Sequence, residues 1–212
     1  MRFIGVVLVL LAGVLGPAAG QQTDQKPKEQ RRTGLVRESL AGQPVPVMPI
    51  THLVRDTTLA DSNLRLPRPK LLAWADSIFT EALVERAPEI SWLYGAELER
   101  VVRRAAGRLP APARFGHSVL RASRLKTVPD PTRSRFRTLT ALADGRFVFV
   151  PASLAFTRDS TGQVRAVLTA VVTDTRTGAI GWRAGAIGIG PTAEAALRAT
   201  IDYFLPEETV TP

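Results

Sequence analysis

The 212-residue chain has no cysteine, which excludes disulfides, thiolate metal sites and a cysteine-linked lipid. Its stability must come from packing. Histidine is nearly absent too: only His52 and His117 occur, in separate segments, with no H-E-x-x-H pair or Asp-rich calcium loop nearby. These residue types indicate no metal centre, and both histidines are expected at the surface or at a cap. Lysine is scarce: of 28 basic residues only Lys26, Lys28, Lys70 and Lys126 are lysines, and the rest are arginines. Acids number 19, leaving a net charge of +9. Beyond the first 20 residues no apolar run approaches the roughly 20 residues that cross a bilayer.

The opening "MRFIGVVLVLLAGVLGPAAGQQ" places Arg2 before an apolar run from Phe3 to Leu15, and Gly16-Pro17 then breaks any helix. Small residues Ala18 and Gly20 precede a cut before Gln21, so a signal peptide is predicted over 1–20, with a periplasmic or extracellular destination. Residues 21–43 are polar and bury too little to offset the entropy of ordering, which predicts a flexible tether. One α/β domain is expected over 44–206, followed by a disordered tail over 207–212.

Within that domain Val45, Val47 and Ile50 suggest a strand interrupted by prolines, and residues 55–69 read as loop. Leu71, Trp74, Ala75, Ile78, Phe79, Ala82 and Leu83 recur at helical spacing, predicting a helix over 70–86 whose stripe needs a sheet to cover it. A short strand in "EISWLYG", a helix over 96–107, a short helix near 116–125 and a helix from Pro131 to a stop at Gly145 follow. "RFVFVPASLAF" is apolar on both faces, as in a central strand, with a bulge expected at Pro151. Two alternating segments come next, one with Val164, Ala166, Leu168, Ala170 and Val172 inward, the other with Ile180, Trp182, Ala184 and Ala186 inward. "RDSTG" and "DTRTG" join the three into an antiparallel meander, and Pro191 opens a last helix. The predicted class is α/β (α+β), a mixed sheet ending in the meander with helices packed on it.

Few motifs resemble chemistry. "DTRTG" faintly matches the aspartyl-phosphate loop of ion pumps, Asp-Lys-Thr-Gly-Thr, but here Thr175, Arg176 and Thr177 stand where lysine, threonine and glycine would be needed. Asp174 and Gly178 instead suit a turn. "GHSVL" lacks the second glycine of a nucleophile elbow around Ser118, and "SRLK" (Ser123 to Lys126) lacks the companion motifs of penicillin-recognising enzymes. "GAIGIGPT" has neither dinucleotide nor P-loop spacing, so Gly185, Gly188 and Gly190 read as a twisted edge strand and its exit. No catalytic, cofactor-binding or metal-binding residue is therefore selected.

One segment has a strong charge bias. From Arg100 to Arg137 a single acid, Asp130, stands against eleven basic residues. The candidate surface for an anionic partner is Arg100, Arg103, Arg104, Arg108, Arg121, Arg124, Arg133 and Arg137. An anionic polymer bound there would release counterions.

The order strand, helix, strand, helix, helix, three-strand meander, helix carries a resemblance. "VPVMPITHLVRD" resembles the first strand and Asp-containing loop of CsgG-like and TolB amino-terminal-like domains of bacterial envelope proteins. "DGRFVFVPASLAF" and "AVLTAVVTDTRTGAIGW" resemble their later strand and penultimate hairpin, so the likeness covers roughly 44–205. It implies a mostly non-enzymatic group of curli-secretion, Tol-system and penicillin-binding-protein-activating components, often lipoproteins, and it supplies no catalytic residue. This chain departs in lacking the lipidated cysteine. The expected function is a secreted or periplasmic, non-catalytic binding or assembly component of the envelope. Its partner would be an envelope protein, an anionic polymer or a second copy of the chain. The alternatives are a small serine hydrolase using Ser118 or another serine, and a polyanion-binding module using the arginine-rich helices.

Overall fold

The computed structural model describes residues 37–206; the expected signal peptide, the tether up to residue 36 and the tail over 207–212 lie outside them. Residues 37–43 are ordered rather than a tether. A 3-10 helix spans Arg37–Ser39, Leu40 is buried, and the Arg37 guanidinium donates to the Pro206 carbonyl at 2.8 Å. The apolar side chain of Leu40 draws this stretch onto the core, against its otherwise polar composition.

Prolines cut the first expected strand in two, giving β1 at Pro44–Pro46 and β2 at Leu53–Arg55. Helix α1 spans Arg68–Arg86, with a proline in its first turn, where no amide partner is lost. Strand β3 (Ser91–Leu93) and helix α2 (Gly95–Arg103) follow. Helix α2 stops short of the expected residue 107 because Ala106 and Gly107 take positive φ values of 48° and 81°. The proline-rich middle forms two 3-10 helices, Pro112–Arg114 and His117–Arg121. Helix α3 is Thr132–Ala143, and Asp144, not Gly145, takes the left-handed conformation at its end. Gly145 serves close approach instead: a Cβ there would strike the Pro44 carbonyl oxygen.

The meander is β4 (Phe147–Arg158), β5 (Val164–Asp174) and β6 (Ala179–Gly190), closed by α4 (Ala193–Phe204). Thr192 caps α4, its hydroxyl accepting from the Ala195 amide at 3.2 Å. The sheet order is β2-β4-β5-β6, parallel between β2 and β4 and antiparallel elsewhere, while β1 and β3 form a separate parallel pair. This is the expected α/β (α+β) class.

Two bulges set which side chains face which layer. In β4 the register shifts between Pro151 and Ser153, so Phe149 before it and Leu154 and Phe156 after it reach the same core. In β6 Trp182 pairs with Val172 but Ile180 pairs with Thr173, leaving Gly181 as the extra residue. Ile180 therefore packs on the opposite face from Trp182, where strict alternation would have put both on one side.

One core lies between the sheet and α1 with α4, the other between the sheet and α2 with α3. Trp182 joins the first core to the last helix, its ring 6.2 Å from Phe149 and 5.3 Å from Phe204. The second helical layer does not reach the far end of the sheet. There Val54, Ala155, Val167 and Ile187 form one row across all four strands, with Val54 and Ile187 about half exposed.

Candidate functional site

Helix α2 buries Leu98, Val101 and Val102, so its intervening charged residues face outward. Arg100, Arg103 and Arg104 are exposed there, and the first two lie in the last turn, where cations complement the helix dipole. Arg100 and Arg104, four residues apart, share a depression with Leu93, Val101 and one acid, Glu97. Arg108, beyond the end of α2, shares a second one with Arg137 of α3, beside Ser134 and Thr138. Arg121 and Arg124 are exposed on and just after the 3-10 helix that packs on β4.

Four of the eight arginines are engaged: Arg108 Nε donates to the Ala105 carbonyl and Arg121 Nη1 to the Ser118 carbonyl, each at 3.3 Å. Arg103 lies 3.8 Å from Glu99, a pair exposed on both sides and therefore weak. Arg133 is half-buried against the hairpin turn: its Nη2 donates to the Thr177 carbonyl at 3.1 Å, and its stem lies where a Cβ on Gly178 would fall. The single acid of the segment is occupied locally. Asp130 accepts from the Ser134 hydroxyl at 2.6 Å and from the Ser134 amide at 3.2 Å, which holds its carboxyl below the usual range. Arg100, Arg104, Arg108 and Arg137 have no carboxylate within ion-pair distance among the described residues.

The hairpin itself is a turn. Asp174 Oδ1 accepts from the Arg176 amide at 2.9 Å, Gly178 has φ 77°, and the Gly178 amide closes on the Asp174 carbonyl at 2.8 Å. Its Oδ2 accepts from Arg146 at 2.6 Å, which holds the carboxyl below its ordinary range. Gly188 and Gly190 offer no phosphate cradle, because Cβ atoms at either would collide with α4. Ser118 lies in a 3-10 helix, not on a strand-to-helix elbow, and no histidine is hydrogen-bonded to it.

A second feature gave no motif in the sequence. Between β1 and β2 residues 49–52 have few ladder partners, so side chains satisfy backbone groups there and at the start of β2. Asp76 of α1 accepts from the Ile50 amide at 2.7 Å, and Arg68 donates to the Thr51 and Leu53 carbonyls, each at 3.1 Å. His117 is fully buried, not at the surface, with Nε2 2.8 Å from the Pro49 carbonyl. A carbonyl only accepts, so Nε2 carries the proton; Nδ1 is buried without a partner, and burial lowers the ring's pKa. Burial pushes the Asp76 carboxyl up to about 7, with the Ile50 bond opposing that shift. Asp76 also lines a groove of about 470 Å³ between α1 and α2. The one available signal was an acid on the flank of an apolar stripe, amid short side chains at Ala73, Ser77 and Thr80. No group of three or more metal-ligating side chains occurs among the described residues, and no helix among them is long and apolar enough to cross a membrane.

No family model and no curated protein matches the chain. Solved structures are similar at low identity. The LpoB C-terminal domain from Escherichia coli is 13% identical over 70% of this chain and 83% of that one, with a TM-score of 0.39. A PelC dodecamer from Paraburkholderia phytofirmans is 15% identical over 81% and 89%, at 0.38. Lipoprotein GNA1162 from Neisseria meningitidis is 13% identical over 70% and 81%, at 0.34. One of these neighbours is named a lipoprotein, and at such scores the likeness assigns no activity, partner or site to this chain.

Proposed function

We propose that this chain is an exported binding or assembly component of the bacterial envelope, of the CsgG-like or TolB amino-terminal-like kind, that holds an anionic partner against α2 and α3. Arg100 with Arg104, and Arg108 with Arg137, exposed in two depressions with no carboxylate at ion-pair distance among the described residues, carry this reading. Guanidinium groups so placed can each donate two parallel hydrogen bonds to a phosphate or carboxylate. Export follows from the leader predicted over 1–20. Turnover plays no part in this reading, because the arginine pairs supply charge and donors but no nucleophile.

The test is retention on an anionic matrix and on vesicles containing anionic lipid, across a salt gradient. The intact chain should elute late and lose retention steeply with salt. Replacing Arg100, Arg104, Arg108 and Arg137 together by serine should bring elution to markedly lower salt without changing the melting temperature. Unchanged retention would sink the proposal.

A further inference from the structure

In a chain of net charge +9, the groove between α1 and α2 is lined by two acids, Asp76 and Glu99, and no base. Its walls are otherwise mainly apolar, with Met48, Leu98 and Pro112 among them and the part-exposed Tyr94 at the rim. Asp76 is the unusual member. One of its carboxylate oxygens accepts from the Ile50 amide, and neither a second hydrogen bond nor a cation reaches the carboxylate among the described residues. A part-buried carboxylate in that state lacks its counter-charge. Helix α1 fixes its position from behind, and the Ile50 bond fixes its orientation.

We propose that this groove binds an alkylammonium group, its charge seated on the free oxygen of Asp76 and its aliphatic stem on Met48, Leu98 and Pro112. The volume suits a ligand of that size, being within the range of small-molecule sites. Glu99, whose exposed pairing with Arg103 is weak, adds a second negative charge near the opening. Such a group can arrive as a free amine or as the lysine side chain of a polypeptide. This site is independent of the arginine surface, so the fourfold serine variant leaves it intact.

The test is an amide-shift titration of the intact chain at pH 8 with pentylamine, N-acetyl-lysine methylamide and pentanol. Both amines should shift amides of residues 73–80 and 94–99, and pentanol should bind at least about tenfold more weakly, as a charge-assisted hydrogen bond requires. Tighter binding by pentylamine would assign the site to free amines, and tighter binding by the lysine derivative to a polypeptide. Asp76→Asn should reduce amine binding to the level of pentanol while its spectrum stays that of a folded protein. Pentanol binding as tightly as pentylamine, or no response to either amine, would overturn the proposal without recourse to the variant.

Discussion

Two aspartates of similar chemistry have opposite effects on stability. Asp174 is held ionised by Arg146, so its contribution is fully present above the unfolded value of about 4 and is lost as pH falls through its lower folded pKa. Asp76 is the reverse. Burial raises its carboxyl to about 7, so the folded state favours the proton. Its contribution is present below about pH 4 and is lost as pH rises through 7, a penalty of a few kcal/mol at most. Asp76→Asn keeps an acceptor for the Ile50 amide but cannot ionise. Its melting temperature should therefore exceed that of the wild type at pH 8 and show a flatter profile between pH 5 and 8. Asp174→Asn should melt lower at pH 7 and show a weaker acid dependence below pH 4. Thermal unfolding followed by circular dichroism across this range reads both. The turn role of Asp174 was legible because turns use local residues. The Arg146 bond, between positions 28 apart, was not.

Glycine spacing acquires its meaning from the neighbouring element. Gly185 and Gly188 lie on one strand, β6, yet a Cβ at Gly185 meets nothing within 4 Å while one at Gly188 runs into the backbone of α4. Gly188→Val should lower the melting temperature by about 5–10 °C or prevent folding, the usual consequence of overpacking. Gly185→Val should leave it within about 2 °C, since a β-branched residue suits an open strand position. Equal effects would show that α4 does not seat on β6 as described. The elements themselves were largely readable: the α1 stripe, the Pro151 bulge and the meander all follow from periodicity and turn residues. The Gly181 bulge was not, because one extra residue turns Ile180 to the other core without any break in the pattern "AIGWRAGA".

At the scale of the whole molecule, composition understated where order starts. Residues 37–43 look like tether, yet Leu40 is buried and the Gln43 side chain accepts from the Arg146 amide at 3.0 Å. A chain starting at residue 44 should melt about 5–10 °C below one starting at residue 37, from the loss of one buried leucine. Equal melting temperatures would return this stretch to the tether. Charge bias located the arginine segment but did not show that Arg133 lies beneath a hairpin, because that contact links residues 44 apart. The groove was least legible of all: its two acids and its walls come from four separate parts of the chain, and no local pattern joins them.

The bond from Arg37 to the carbonyl of Pro206 brings the two ends of the folded region to within a single hydrogen bond of each other. Topologically the domain is then almost a closed ring. Where the ring is cut is a matter of genetic convenience more than of folding. A permuted chain, with 206 joined to 37 by a few flexible residues and new ends at the exposed 159–162 turn, would retain both cores and every strand pairing.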